Sequence, residues 1–424
     1  MVSSLVLSEL LAEPSPLELV PRMEQQGYES KQVERRREWI EARAGCRLTH
    51  VGSYSIPSEE MRGNIENPIG AAQIPLAIAG PLLVNGSHAQ GSFYVPMATT
   101  EGALVRSYER GMVTLTRAGG VSVRLHLDEN RVSPIFHFQD VDEAYRFTQT
   151  LHQEFEAIRE EAEATTSHGK LLRIECHPIG REVIVNFCYY TADAHGMNMI
   201  VKATERACQW IMRYSPARRF SIFSGFSSEK RASGSLLTGG KGKKVTAGAL
   251  IRASLVKSYL HTTSDQLLDT WHHTVLGHLQ ANATGYNGHY ANGLCAIFIA
   301  CGQDVANVVN SAVGITNFEV TEGGDLYASV TLPSLTVATV GGGTALGTSR
   351  ECLEMLGCAG GGGAAKFAEI VAGTLLAGEI SMAAAIACGE FVAAHETYGR
   401  NRPTSNWQLK SEEAIGIRFG SDGE

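Results

Sequence analysis

VSPIFHF (132–138), VDEAYRFTQTLHQEFEAIREEAEA (141–164), LLRIECH (171–177), EVIVNFCYY (182–190), DAHGMNMIVKATERACQWIMRY (193–214) and RFSIF (219–223) follow one another with little between them. The first, third, fourth and sixth segments read as strands, the second and fifth as helices. Pro178-Ile179-Gly180 supplies the turn between the middle strands. The order strand–helix–strand–strand–helix–strand is the split βαβ pattern. Residues 132–223 are therefore expected to form a small ferredoxin-like unit inserted in a larger α/β (α+β) protein.

On the N-terminal side, residues 1–60 are charged and helix-prone, with Glu24–Arg43 read as a surface helix. From Glu66 the texture changes to Gly, Pro and short apolar runs. Ile74–Gly80, Leu82–Val84 and Phe93–Val95 are expected to be extended. Thr99–Arg117 has helical spacing, with Leu104, Tyr108, Met112 and Leu115 on one face. Beyond residue 236, Ala247–Tyr259, Ser264–Gln280 and Ala365–His395 read as helices, and Leu326–Leu332 with Ser334–Val340 as a strand pair. The expected layout is a helical N-terminal domain (1–65), a large helix-rich domain (66–131 with 236–402), the inserted unit (132–223) and a connecting loop (224–235).

Composition narrows the function classes. A formal charge of −8 over 424 residues argues against general nucleic-acid binding. The nine cysteines contain no CxxC pair, and several lie in apolar runs, as expected of reduced thiols in a cytoplasmic protein. Met1–Leu11 is short and carries Glu9, unlike a signal peptide. Ile370–Ala394 is interrupted by Glu379 and Glu390 and reads as a buried helix, not a membrane span.

The common cofactor signatures are missing. Gly341 to Gly347 lacks GxGxxG spacing, and Gly234 to Lys241 imitates a P-loop without its final Ser/Thr. His272, His273 and His278 lack HExxH spacing, so no metal is assigned. Four short segments carry the remaining chemistry. Glu101 follows Thr99-Thr100, Lys230 sits in Ser227-Ser228-Glu229-Lys230-Arg231, Asp304 ends Cys301-Gly302-Gln303-Asp304, and His395 ends the long small-residue helix. Singly they read as a helix cap, a solvated turn, another cap and a helix-end partner. Together they supply an acid, a cationic clamp, a carboxylate to hold it and a second acid.

At this point the sequence resembles the HMG-CoA (3-hydroxy-3-methylglutaryl-coenzyme A) reductases. Glu66-Asn67-Pro68-Ile69-Gly70, Pro96-Met97-Ala98-Thr99-Thr100-Glu101-Gly102, Asp193-Ala194-His195-Gly196-Met197-Asn198, Gly285-Tyr286-Asn287, Cys301-Gly302-Gln303-Asp304 and Thr339-Val340-Gly341-Gly342-Gly343-Thr344 occur in that family's order. The match spans roughly residues 60–402 and is nearest the eukaryotic and archaeal class, here without a membrane anchor.

The resemblance implies reduction of HMG-CoA to mevalonate and coenzyme A with two NADPH. It gives Lys230 the task of polarising the thioester and then the aldehyde carbonyl. Glu101 would donate a proton, its pKa raised by burial. Asp304 would stand between Glu101 and Lys230 and hold both, and His395 would protonate the departing thiolate. Arg131, Ser224, Glu229, Arg231 and Asn292 would hold the hydroxymethylglutaryl group. Ser107, Arg110, Lys243 and His289 would meet coenzyme A. Asp193, Gly196, Met197 and Asn198, with Val340, Gly341, Gly342 and Arg400, would meet the dinucleotide, making 132–223 an NADP-binding domain. The family also implies a homodimer or homotetramer with active sites between subunits.

This chain departs from the family pattern in four places. The usual Ser-Asp-Lys-Lys-like loop is Ser-Glu-Lys-Arg and one residue shorter. His272 replaces a Lys that helps hold the substrate carboxylate. His195 stands where Met is common. An Arg for the 2′-phosphate is missing near Thr165–Lys170, leaving Lys170, Arg400 or Arg402 as substitutes; NADP is expected, with NAD the alternative. The altered loop and His272 keep open a paralogue that reduces another acyl thioester or ketone. A non-catalytic acyl-CoA-binding protein is a third reading, opposed by the intact Glu101, Lys230, Asp304 and His395.

Overall fold

The computed structural model describes residues 19–22 and 27–391. His395, Arg400 and Arg402 lie outside them. The chain divides into a unit ending at Gln73 and one starting at Ile74. The first unit contains α1 (Ser30–Ala44). Its interior is unusual for so charged a helix: Arg36 is fully buried beside Val33, and its guanidinium donates to the backbone carbonyls of Pro68 and Gly27. A buried guanidinium requires such acceptors.

The second unit runs β1 (Leu76–Asn85), β2 (Gln90–Ala98), α2 (Leu104–Arg117), β3 (Val121–Val132), β4 (Ile135–His137), α3 (Val141–Gln153), α4 (Phe155–Glu163), β5 (Lys170–Ile179), β6 (Glu182–Tyr190), α5 (Met197–Tyr214) and β7 (Arg219–Ser221). It continues with β8 (Gly242–Ile251), α6 (Ala253–Leu260), α7 (Ser264–Gln280), α8 (Tyr290–Ala300), β9 (Ile315–Val320), β10 (Leu326–Leu335), α9 (Gly347–Met355) and α10 (Ala364–Ala387). The strands join in one sheet in the order β7-β4-β6-β3-β8-β10-β9, with β5 on the other side of β6 and the β1–β2 hairpin beside β3.

The order β7-β4-β6-β5, antiparallel throughout, is the split βαβ arrangement expected from residues 132–223. Its core, from Val132 to Ala217, is separate from the larger one, which α10 dominates. β3 belongs to both halves: Ser122–Glu129 pair with β8, and Asn130–Val132 pair with β6.

α10 is long and apolar enough to cross a membrane, yet most of it is buried inside the protein. Two buried carboxylates fasten it. Glu369 accepts the backbone N–H groups of Ser87, His88 and Ala89 in the β1–β2 turn. Glu379 accepts those of Gly288 and His289, just ahead of α8. Each thereby satisfies orphan backbone donors in a core that excludes water. α2 crosses α10 closely at Gly111, where a Cβ would stand 1.9 Å from the Ala377 carbonyl oxygen.

Three local expectations are corrected. Ala247–Tyr259 is not one helix: β8 ends at Ile251 and α6 begins at Ala253. Small residues concealed the alternation Lys243, Val245, Ala247, Ala249, Ile251, all of which point inward. Leu326–Leu332 and Ser334–Val340 are not a hairpin. β10 passes through Pro333 with a register shift against β8 and pairs on its other side with Ile315–Val320; an irregularity is where a strand tolerates proline. α2 begins at Leu104, so Glu101 lies in the preceding loop and is not its cap.

Candidate active site

The loop after β7 turns sharply. Ser228 and Lys230 both adopt left-handed backbone, with φ of 57° and 54°, an uncommon conformation for residues with a Cβ. Between them Glu229 turns inward. One of its carboxylate oxygens pairs with the Lys241 ammonium. The other accepts from Asn307 Nδ2 at 2.9 Å and lies 3.6 Å from His195 Nε2. Lys230 turns outward, its Nζ 2.7 Å from Asp304 Oδ2. Asp304 in turn caps the helical turn 305–307, accepting from the Ala306 N–H at 3.1 Å. Arg231 is exposed. Ser224 Oγ donates to the Ser133 carbonyl at 2.7 Å, tying the loop to the end of β3.

Burial sets the electrostatics of this cluster. It would raise the Glu229 carboxylate, but Lys241 and Asn307 outweigh it and hold the group below the usual value. Burial lowers the Lys241 ammonium, against the pull of Glu229, and lowers His195. Arg131, in β3, is also lowered by burial. Its Nε and Nη2 have no hydrogen-bond partner among the described residues, so a buried cation there has capacity to receive an anion.

Glu101 is exposed among the described residues, whereas the sequence reading expected it to be buried. Its carboxylate is met by Asn292 Nδ2 at 3.4 Å, whereas Asp304 is engaged with Lys230. Asn292 lies one turn into α8, whose entry holds His289 with Nε2 against the Gly378 carbonyl and Nδ1 3.3 Å from the Tyr108 hydroxyl. Ser107 and Arg110 converge from α2 on Ser381: Ser107 Oγ is 3.1 Å away, and Arg110 donates to both its hydroxyl and its carbonyl. Lys243 is buried and paired with Asp128 at 2.7 Å. His272 is exposed on α7, its ring against Trp271.

The dinucleotide candidates form a second locus. Ala194 and Val340 make a parallel bridge, and the Asp193 carbonyl accepts from Thr339 and Val340. Gly196 (φ 75°) precedes α5, which opens with Met197 and exposed Asn198. Gly341 and Gly342 are exposed with positive φ. The Asp304 turn packs on this glycine turn. At Gly302 (φ 64°) a Cβ would stand 2.4 Å from the Gly343 carbonyl oxygen, so this position requires glycine. His195, on the same turn, faces Glu229 and joins the two loci. Lys170 is paired with Glu163 at 2.9 Å.

Lys241 and Asn307 escaped sequence reading. Lys241 stood in a failed P-loop match, and its only signal was a lysine between glycines at the start of an inward-alternating strand. Asn307 carried no pattern.

A lysine ammonium fixed by a carboxylate, beside an exposed glycine turn and a helix start, is the equipment of an enzyme that stabilises charge on a carbonyl oxygen. The family model described as hydroxymethylglutaryl-coenzyme A reductase matches residues 32–400, and the chain belongs to that family. It is 44% identical over 370 residues to the 3-hydroxy-3-methylglutaryl-coenzyme A reductase of Methanothermobacter thermautotrophicus, covering 86% of this chain and 92% of that protein. The Pyrococcus horikoshii enzyme of the same name is 42% identical over 377 residues (87% and 91%). The fold resembles a class II enzyme of Streptococcus pneumoniae solved with NADPH in open conformations (TM-score 0.64, 18% identity, 83% of this chain and 86% of that one).

Proposed function

We infer that the protein reduces 3-hydroxy-3-methylglutaryl-CoA to mevalonate and free CoA with two NADPH. The observation that carries this is the Lys230–Asp304 pair, 2.7 Å apart, on a loop that reaches the Ala194–Val340 turn through Glu229 and His195. That turn fits a dinucleotide. It combines exposed glycines with positive φ, room for close backbone approach, and the N–H groups at the start of α5, which favour phosphate. Asn198, Val340, Gly341 and Gly342 would line it, and residues 132–223 would form the NADP-binding domain. NADPH, when bound, supplies hydride.

In this reading Lys230 donates to the carbonyl oxygen and stabilises the charge that develops there, first on the thioester and then on the aldehyde released from the thiohemiacetal. Asp304 keeps the ammonium aimed. Glu101, held by Asn292, delivers the proton to the reduced oxygen. His395 protonates the CoA thiolate. The unpaired edge of Arg131 takes the substrate carboxylate. Lys230 and Asp304 keep 45% and 41% of their side chains exposed; with the exposed Glu101, this supports a site closed by a second subunit in a homodimer or homotetramer. Unpaired thiols throughout support a cytoplasmic enzyme.

The test is HMG-CoA-dependent oxidation of NADPH, run beside NADH, with mevalonate identified as product. A folded sample that oxidises no NADPH with HMG-CoA would overturn the reading. A higher kcat/KM for another acyl-CoA would instead indicate a paralogue.

A further inference from the structure

We propose that Arg173 is a positioning residue for substrate binding: by engaging both oxygens of the buried Glu129 carboxylate, it keeps the neighbouring Arg131 guanidinium open to the carboxylate of the acyl substrate. The inference rests on the reductase reading, in which Arg131 meets that carboxylate, and names the residues that keep the subsite receptive.

The first observation is a carboxylate beside a cation and not bonded to it. Glu129 and Arg131 are two residues apart on β3, where alternate side chains share a face. The Glu129 side chain is fully buried, and Arg131 is 7% exposed. Both reach one point: a Cβ on Gly240 would stand 2.9 Å from Arg131 Nη1 and 3.4 Å from Glu129 Oε1. Glu129 attracts the Arg131 charge. Yet Arg131 Nε and Nη2 have no hydrogen-bond partner among the described residues. Two buried opposite charges this close ordinarily pair.

The second observation is what prevents it. Arg173 Nη1 bonds Glu129 Oε2, and Arg173 Nη2 bonds Glu129 Oε1 at 2.7 Å, a two-pronged contact that occupies the whole carboxylate. A register shift in β5 between Leu171 and Arg173 sets Arg173 opposite Cys188, whose neighbour on the other side is Arg131. The two arginines therefore stand in one cross-strand row over β3, β6 and β5. Arg173 is itself fixed: its Nε donates to Glu175 at 2.7 Å, and Glu175 accepts from Asn186 Nδ2 at 3.2 Å. Asn186 accepts from the Ser133 hydroxyl, and the Ser133 carbonyl accepts from Ser224. Two carboxylates thus bond Arg173 and neither bonds Arg131. Without Arg173, the buried Glu129 would be left uncompensated beside Arg131 and would turn onto it, covering the edge that faces substrate. The defect falls on binding of the substrate anion and not on the chemical step.

The experiment compares Arg173→Gln, Arg131→Gln and the double variant Arg173→Gln with Glu129→Gln against the unaltered enzyme. Wild-type turnover of HMG-CoA tests the reductase reading by itself; the variants test this inference. Arg173→Gln is expected to raise KM for HMG-CoA about ten- to a hundredfold, the worth of a charged hydrogen-bonded contact, with kcat nearly retained. Inhibition by free 3-hydroxy-3-methylglutarate should weaken in parallel, while inhibition by CoA and the affinity for NADPH stay unchanged. Arg131→Gln should show the same pattern. The double variant has no carboxylate to turn onto Arg131 and should recover most of the affinity, which a merely structural role for the Glu129–Arg173 pair would not give. If Arg173→Gln fails to fold, Arg173→Lys replaces it: a lysine engages one oxygen and frees the other, so a smaller rise in KM and the same reversal by Glu129→Gln are expected. A folded Arg173→Gln enzyme with wild-type KM would overturn the proposal, as would a double variant no better than the single one. Unaltered KM in Arg131→Gln would overturn it too.

Discussion

The Asp193 carboxylate accepts the backbone N–H groups of Gly362 at 2.8 Å and Ala364 at 3.0 Å, fastening the turn before α5 to the first turn of α10. Sequence resemblance places Asp193 at the dinucleotide, but its side chain serves as a helix cap, and its backbone carbonyl accepts from Thr339 and Val340. Asp193→Ala is therefore expected to destabilise the protein by about 1–2 kcal/mol as well as weaken NADPH binding. Urea unfolding and a fluorescence titration with NADPH would measure the two effects. Weakened binding at unchanged stability would contradict the capping role.

Lys230→Ala removes the only described contact to the Asp304 Oδ2 side of the site while leaving the Ala194–Val340 turn intact. Loss of an oxyanion donor costs about 10²–10³ in kcat. That loss is expected here, with NADPH affinity retained. Single-turnover kinetics and NADPH titration would check it; a near-normal rate would remove Lys230 from the oxyanion role.

His195 gives the protein an acid-sensitive element. Burial lowers its pKa below the ordinary 6.5, only partly opposed by Glu229. The unfolded chain therefore binds a proton more readily than the folded one, and stability falls as pH drops below 6.5. Glu229, depressed below 4.5, adds its own loss only at lower pH, as the folded carboxylate is protonated. His195→Met is expected to flatten the slope of unfolding free energy between about pH 7.5 and pH 5, leaving the more acidic fall in place. Urea titrations across that range would show it. An unchanged slope would mean that His195 does not titrate as its burial requires.

Gly111→Ala would ordinarily favour a helix. Here the added Cβ meets the Ala377 carbonyl oxygen, so α2 and α10 must separate. The expected result is destabilisation of about 1–3 kcal/mol, read as a lower midpoint in thermal unfolding. A stabilised protein would show that the helices are free to adjust.

Much of this was legible in the sequence, for identifiable reasons. The split βαβ unit could be read because Val183, Val185 and Phe187 are β-formers and Ile200, Ala203, Ala207 and Ile211 keep helical spacing. β8 could not, because Ala247 and Ala249 resemble a helix when their cross-strand partners are unknown. Pro333 read as a stop because single-strand reasoning cannot see an irregularity against a neighbour. Lys230 and Asp304 stood out as charges among glycines, and the structure pairs them. Lys241 and Asn307 act through partners distant in the chain, and no local pattern announces such a contact. Arg36 likewise reads as a charge on the surface helix Glu24–Arg43 until the backbone carbonyls it satisfies come into view.

The strand shared by the two cores has a mechanical meaning. Since β3 pairs with β8 along one stretch and with β6 along the next, neither core can melt without fraying a strand that the other needs. Residues 74–391 should consequently lose structure in one cooperative step, with fluorescence and circular dichroism transitions that coincide, and a fragment starting after Val132 should fold poorly because it leaves the β6 edge bare. Any relative motion of the smaller core would have to pass through the twist of that single continuous strand, so the protein can flex there while keeping the two halves in fixed register.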